Sequence, residues 1–169
     1  MSHRVILIGP PGSGKTSIGK QVAKMTNSVF TDTDHEIETK VGKSITNIFL
    51  EDGESFFRER EKEIVIQTIK DKTGVISLGG GSVLDSEVQK ILENLKEEVV
   101  YLEVTISNAA PRVGFNKDRP LLAGNPRAKW QELMEARRPI YERLAGRKVS
   151  TDNRKPNEVA AEIAKAVLA

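Results

Sequence analysis

Lys15 and Thr16 are the residues of this sequence with the clearest capacity for chemistry, because they close a glycine-rich run. The run, GPPGSGKT at positions 9–16, fits the pattern G-x-x-x-x-G-K-[ST] and lies between an apolar segment and an amphipathic one. Backbone N–H groups in this pattern turn inward around phosphate oxygens, and the following helix N-terminus adds partial positive charge. Lys15 can reach the β- and γ-phosphates, and the Thr16 hydroxyl can bind Mg²⁺. The run predicts a nucleoside triphosphate site, with a ligand-free turn as the alternative.

Two carboxylates, Asp32 and Asp34, follow the second apolar run. Because the carboxyl ends of parallel strands share one edge of a sheet, both should lie at the same edge as the phosphate loop. There they can serve Mg²⁺ and an acceptor hydroxyl. By itself such a pair more often caps a helix, and the phosphate loop is what favours the chemical interpretation. Asp32 is the better candidate for the metal, through a water molecule, because the third apolar run does not end in an acidic residue.

A glycine triplet at 79–81 follows the third apolar run, and glycines at a strand end allow close approach of the backbone to a ligand. A plain tight turn is the alternative. Arg58 and Arg137 lie in helical patterns, where an arginine is usually only solvated. Arg119 lies in a segment rich in glycine and proline, and it is a candidate for an arginine that a closing lid supplies to a transferring phosphoryl group.

Short apolar runs predict the elements that must position these residues. They occupy 5–8, 29–31, 75–78, 99–102 and 148–150, with the second and the last the weakest. Runs without alternation are typical of strands buried on both faces, as in a parallel sheet. Amphipathic patterns separate them, and one begins with a possible capping box formed by Ser86 and Gln89. Strands that alternate with helices predict one α/β domain.

Two stretches depart from this alternation. Residues 33–62 carry mostly helical signal without a strand, which suggests an inserted helical subdomain. Residues 114–127 are rich in glycine, proline and asparagine, which suggests a mobile loop.

The composition limits the class of protein. A length of 169 residues suits one domain, and a formal net charge of +2 gives little support to a nucleic-acid-binding surface. The absence of cysteine excludes disulfides, thiolate catalysis and cysteine zinc sites, and two histidines argue against a histidine-rich metal site. We expect no membrane segment and no targeting signal, and hence a cytoplasmic protein.

Taken together, the motifs resemble the shikimate kinase family. They are GPPGSGKT, DTD at 32–34, FFR at 56–58, SLGGG at 77–81, RPLL at 119–122 and R-x-P-x-Y at 137–141. The resemblance implies an α/β fold: a single P-loop kinase domain over residues 1–169, with a five-stranded parallel sheet flanked by helices. Residues 33–62 would be the substrate-binding helices and 114–127 the lid. The implied reaction transfers the γ-phosphoryl group of ATP, with Mg²⁺, to the 3-hydroxyl of shikimate, giving shikimate 3-phosphate and ADP for chorismate and aromatic amino acid biosynthesis.

The resemblance also implies roles for individual residues. Asp34 would bind the acceptor hydroxyl and act as the base, while Lys15 and Arg119 would stabilise charge on the transferring group. The remaining substrate-binding residues would be Phe49, Phe57, Arg58, Gly79, Gly80, Gly81 and Arg137, with both arginines on the substrate carboxylate. The nucleotide would contact Gly12, Ser13, Gly14, Lys15, Thr16, Ser17, Arg112, Arg119 and Arg154, and Mg²⁺ would lie at Thr16 with Asp32 behind a water.

Two positions depart from the family pattern. Pro111 stands beside Arg112 in an expected helix, whose start it should shorten or shift, and Phe115 occupies a lid position where a smaller residue is expected. Two other functions stay open: a kinase of another small hydroxy acid such as gluconate, since Arg58 and Arg137 suit any carboxylate, and a nucleotide-dependent regulatory protein without turnover. We expect a monomer with a small-molecule substrate and no nucleic-acid or membrane partner.

Overall fold

A parallel sheet forms the framework of the computed structural model, which describes residues 3–113 and 124–168. Within those residues the strands are β1 (Arg4–Ile8), β2 (Phe30–Asp32), β3 (Gly74–Ser77), β4 (Val99–Glu103) and β5 (Arg147–Ser150). Their order in the sheet is β2-β3-β1-β4-β5, and every pair is parallel. The predicted five-stranded parallel sheet is confirmed, with strand ends displaced by about one residue from the apolar runs.

Helices cover both faces of this sheet. They are α1 (Lys15–Met25), α2 (Thr33–Val41), α3 (Ile45–Glu51), α4 (Glu54–Asp71), α5 (Ser86–Asn94), α6 (Ile106–Val113), α7 (Pro126–Leu144) and α8 (Pro156–Leu168), with short 3₁₀ turns at Ser82–Leu84 and Lys96–Glu98. No helix among the described residues is both long enough and apolar enough to span a bilayer.

The central strand β1 shows why its own sequence is apolar from Val5 to Ile8. Its side chains alternate between two cores: Ile6 and Ile8 face one shared with α4, α5 and α7, and Leu7 faces another shared with α1 and α8. All three are at most 1% exposed. Because both faces are covered, neither carries the polar residues of a solvated sheet.

The stretch 33–62 contains α2, α3 and the first half of α4, in agreement with its helical signal. A small separate core holds these helices together, with Ile37, Ile48 and Phe57 at its centre. Position 62 is not an element boundary, because α4 continues to Asp71. The stretch thus projects from the sheet while its last helix remains anchored in the main core.

The starts of α5, α6 and α7 differ in how well the sequence predicted them. The predicted capping box of Ser86 and Gln89 is wrong: Asp85 is the N-cap of α5, and its Oδ1 accepts from the N–H groups of Glu87 and Val88. Helix α6 begins ahead of Pro111 and includes it. Of the stretch 114–127, residues 114–123, with Phe115, lie outside the described part of the chain. Its last residues enter α7, where Asn125 accepts from Ala128 N–H.

Candidate active site

The candidate site lies where the carboxyl ends of β1, β2 and β3 meet at one edge of the sheet. β1 leads into the glycine-rich run, and Gly14 joins that run to α1 with a φ of 89°, a conformation that favours glycine. The Nζ of Lys15 donates to the carbonyl oxygens of Gly9, at 2.7 Å, and Pro10, at 3.1 Å. The lysine is folded back over the loop, so its positive charge is held beside the loop backbone.

A cavity of about 500 Å³, called the nucleotide cavity below, opens beside this loop. Ser13 is fully buried within the loop, and Arg119 lies outside the described residues, so its predicted role stays a prediction. Most residues predicted for the nucleotide and the metal line the cavity: Gly12, Gly14, Lys15, Thr16, Ser17, Asp32, Arg112 and Arg154.

Asp32 and Asp34 occupy different positions at the start of α2. Asp32 ends β2 and caps α2, because its Oδ1 accepts from the N–H of Asp34 at 2.9 Å. The capping alternative is therefore correct for Asp32, and it coexists with a position in the wall of the nucleotide cavity. The cap also fixes Asp34 in the first turn of α2, at the edge of the sheet.

The rim of the nucleotide cavity carries two arginines, each held by hydrogen bonds within the protein. Arg112 of α6 donates from Nη1 to the carbonyl of Gly12 at 3.3 Å and to Thr151 Oγ1 at 3.0 Å. Arg154 donates to the carbonyl of Ser150 at 3.0 Å. Both side chains are held at the cavity by protein contacts, so their positions there need no ligand.

A second cavity of about 550 Å³, called the acceptor cavity, adjoins the first. The rings of Phe49 and Phe57 lie in its wall with their centroids 4.9 Å apart. Arg58 enters from α4 and the buried Arg137 from α7, which brings two guanidinium groups to one cavity. Every residue predicted for the acceptor side lines this cavity: Asp34, Phe49, Phe57, Arg58, Gly79, Gly80, Gly81 and Arg137.

The two cavities meet at a short wall that both share. Pro11, Asp34, Gly79 and Gly80 line both cavities. The packing there is close, because a Cβ added at Gly79 would lie 2.6 Å from Asp34 Oδ1 and would displace that carboxylate. Asp34 therefore faces both the cavity beside the glycine-rich loop and the cavity with two arginines.

Glu61 is a residue of the site to which the sequence motifs gave no role. It is 3% exposed, its Oε1 accepts from Arg58 Nη1 at 2.6 Å, and its Oε2 accepts from Ser82 Oγ at 3.1 Å. Burial raises the pKa of Glu61, and the charges of Arg58 and Arg137 oppose that rise. The available signal was an acid on the apolar face of a helix, four residues after Phe57 and three before Ile64.

Two aromatic residues of α7 were likewise not predicted as site residues. Trp130 Nε1 donates to the carbonyl of Pro11 at 2.9 Å, and the Tyr141 hydroxyl donates to the carbonyl of Gly80 at 2.6 Å. The spacing of Trp130 and Tyr141 along the helix predicts only that both are buried. Their hydrogen bonds could not be predicted, because the partners are far away in the chain.

Comparisons with known proteins agree with this geometry. A family model described as shikimate kinase matches residues 11–168. A shikimate kinase of Thermobifida fusca is 46% identical over 167 residues, which cover 98% of this chain and 96% of that protein. The chain belongs to the shikimate kinase family. A solved structure titled as a shikimate kinase from Acinetobacter baumannii in complex with shikimate has a TM-score of 0.94 at 32% identity, and the match covers 99% of this chain and 94% of that one.

Membership in the shikimate kinase family confirms the resemblance of the motifs and makes the chain an ATP-dependent kinase. A gluconokinase from Sinorhizobium meliloti also matches, covering 99% of this chain and 92% of that one, at 17% identity and a TM-score of 0.57. That likeness shows a shared fold and nothing about the acceptor.

Proposed function

We propose that this protein transfers the γ-phosphoryl group of ATP to the 3-hydroxyl of shikimate, giving shikimate 3-phosphate and ADP. The observation that carries the proposal is the placement of Asp34 in the wall shared by the nucleotide cavity and the acceptor cavity. A phosphoryl group bound in the nucleotide cavity and a hydroxyl bound in the acceptor cavity would meet beside the carboxylate of Asp34. Membership in the shikimate kinase family supports the same reaction.

The acceptor cavity suits a small ring that carries a carboxylate. Arg58 and Arg137 offer planar guanidinium groups, which bind carboxylates through paired hydrogen bonds. Phe49 and Phe57 offer apolar surface to the faces or edges of a ring. The arginines would anchor one end of shikimate, and the backbone of the glycine triplet would lie along it near the reacting hydroxyl.

Asp34 would act on the reacting hydroxyl of the acceptor. Its carboxylate would accept a hydrogen bond from that hydroxyl, orient the oxygen towards the γ-phosphorus, and take the proton as the new P–O bond forms. The Asp32 cap holds the first turn of α2, so the base is positioned before the substrate binds.

The nucleotide cavity would hold ATP by its phosphates. The backbone of residues 12–17 would bind phosphate oxygens, and Lys15 would exchange its loop carbonyls for the β- and γ-phosphates. Arg112 and Arg154 would lie beside the adenine. Arg119 would place its charge on the transferring group when the proposed lid closes.

The residues present fit a magnesium ion bound chiefly through phosphates. The Thr16 hydroxyl and the Asp32 carboxylate are hard oxygen donors in the wall of one cavity, and no cluster of three or more His, Cys, Asp or Glu groups suitable for a metal occurs among residues 3–113 and 124–168. Thr16 would bind the ion directly and Asp32 would hold one of its waters. Bound there, Mg²⁺ supplies neutralisation of the charge that develops on the phosphates.

A coupled assay of ADP release tests the reaction with shikimate, with gluconate and without an acceptor. We expect release that depends on shikimate, because the two arginines and the apolar wall suit its carboxylate and ring. Release with gluconate alone would assign the chain to a different acid, and release without any acceptor would make it a nucleotide hydrolase. The product of the shikimate reaction should carry its phosphate on the 3-oxygen by ³¹P-coupled NMR.

A further inference from the structure

One face of α7 is buried along almost its whole length. Trp130, Met134, Arg137 and Tyr141 follow one another at intervals of four, three and four residues, so they lie in a row along the helix. Each is at most 3% exposed. Arg137, in the middle of the row, enters the acceptor cavity. Trp130 at one end hydrogen-bonds to the phosphate loop, and Tyr141 at the other end hydrogen-bonds to the glycine triplet.

Trp130 reaches the phosphate loop. Its indole Nε1 donates to the carbonyl oxygen of Pro11 at 2.9 Å, across 119 positions of the chain. The ring is 2% exposed, so water does not compete strongly for this donor. A rigid indole with one donor fixes the orientation of the Pro10–Gly12 backbone, which leads into the phosphate-binding N–H groups.

Tyr141 reaches the glycine triplet. Its hydroxyl donates to the carbonyl oxygen of Gly80 at 2.6 Å, while its ring stacks on Tyr101 of β4 with centroids 5.1 Å apart. Tyr141 is fully buried, and burial raises the pKa of its hydroxyl, so the group remains a donor throughout the range in which enzymes work. The orientation of the Gly80 peptide is thereby tied to the sheet through two stacked rings.

The two loops held in this way lie next to each other. A Cβ added at Gly80 would lie 3.5 Å from the carbonyl oxygen of Gly9 and 3.5 Å from Pro11 Cδ. The same added atom would lie 3.3 Å from Arg137 Nη1. This close approach is part of the wall shared by the two cavities, where the phosphate donor and the acceptor hydroxyl would meet in the proposed reaction.

We propose that Trp130 and Tyr141 are positioning residues that fix the phosphate loop and the glycine triplet at the spacing required for phosphoryl transfer. The proposal rests on the function proposed above, and neither residue lines either cavity. Transfer requires the attacking oxygen and the phosphorus to be in line within about 3–3.5 Å, so an error of about 1 Å in either loop costs rate heavily. Both loops are bound to one rigid helix, which keeps their separation constant.

Single substitutions remove each donor and keep a ring in place. Tyr141→Phe should lower kcat about tenfold and raise the KM for shikimate a few-fold, with the KM for ATP changed by less than about twofold. Trp130→Phe should lower kcat by a similar factor and raise the KM for ATP instead. Tyr101→Phe is the matched control, because it removes a buried hydroxyl from the stacked partner ring and should change each constant by less than about twofold.

The split between the two Michaelis constants separates positioning from general loss of structure. If Trp130→Phe and Tyr141→Phe changed thermal stability but kept wild-type constants per folded molecule, or changed both KM values alike, the proposal would be overturned. Titration calorimetry with Mg·ADP gives a second reading that does not depend on turnover. We expect weaker binding in Trp130→Phe and wild-type binding in Tyr141→Phe and Tyr101→Phe, and equal affinity in all three variants would overturn the role of Trp130.

Wild-type turnover separates failure of this proposal from failure of the proposed function. A wild-type protein that releases no ADP with shikimate refutes the reaction, and the calorimetric comparison then decides on its own whether Trp130 holds the phosphate loop. A wild-type protein that is active while both variants retain its constants refutes the positioning role and leaves the reaction standing.

Discussion

Asp34 shows how much of the site depends on the position of a single carboxylate. Its neighbour Asp32 caps the helix and lies in the nucleotide cavity, whereas Asp34 lies in the wall shared with the acceptor cavity. The residue types alone do not distinguish the two members of the pair. They are distinguished by register, because Asp32 ends the strand and Asp34 belongs to the first turn of the helix.

Asp34→Asn should lower kcat at least about 100-fold, because the amide keeps the shape of the side chain but cannot accept the hydroxyl proton. The KM for ATP should change little, since the phosphate loop is intact. Steady-state kinetics with shikimate measure both constants. Asp85→Asn is a matched control, because Asp85 caps α5 away from both cavities and should retain wild-type turnover. Near-normal turnover of Asp34→Asn would remove Asp34 from the mechanism.

At the scale of elements, the sequence predicted what its local patterns encode. Buried strands appear as apolar runs, and the phosphate loop has a motif of fixed spacing, so both could be located from the order of residue types alone. Glu61, Trp130 and Tyr141 could not be assigned roles, because the partners Ser82, Pro11 and Gly80 are far from them in the chain. Their spacing shows only that they lie on apolar helix faces, and a buried hydrogen-bonding aromatic looks the same in sequence as a core one.

In the glycine triplet, a side chain added at Gly79 would meet a different neighbour from one added at Gly81, so the two substitutions should have different effects. A Cβ at Gly79 would lie 2.6 Å from Asp34 Oδ1, and a Cβ at Gly81 would lie 2.7 Å from Arg58 Nη2. Gly79→Ala should therefore displace Asp34, the proposed base, and lower kcat about tenfold or more. Gly81→Ala should instead displace Arg58, a proposed ligand of the substrate carboxylate, and mainly raise the KM for shikimate. Kinetics of the two variants serve as controls for each other, and identical effects would contradict the separate roles.

At the scale of the whole molecule, Glu61 joins three parts of the fold around a buried charge. It lies on α4, accepts from Ser82 in the turn after β3, and is close enough to Arg137 of α7 for that charge to influence its pKa. Removing a carboxylate from water is costly, and its arginine and serine partners offset part of that cost. The acceptor cavity thus obtains an oriented Arg58 while the folded state loses some stability to the burial of Glu61.

Glu61→Gln should expose this cost through the pH dependence of stability. Burial raises the folded-state pKa of Glu61 above its ordinary value of 4.5, so the group stabilises the fold at pH below that value and loses this contribution as pH rises through the folded-state pKa. The free energy of unfolding of the wild type, relative to that of Glu61→Gln, should accordingly fall as pH increases above about 4.5. Urea denaturation of both proteins from roughly pH 4 to pH 8 measures the difference.

The same substitution should raise the KM for shikimate, because Arg58 loses the charged oxygen that holds its Nη1 at 2.6 Å. Glu63→Gln on the same helix is the control: its side chain is 60% exposed beside Arg60, so it should alter neither the pH slope nor the KM. A free energy of unfolding of the wild type that instead rises with pH, relative to that of Glu61→Gln, would mean that the arginine charges outweigh burial. In that case Glu61 would stabilise the fold as a charged group, and orientation of Arg58 would carry no cost to the folded state.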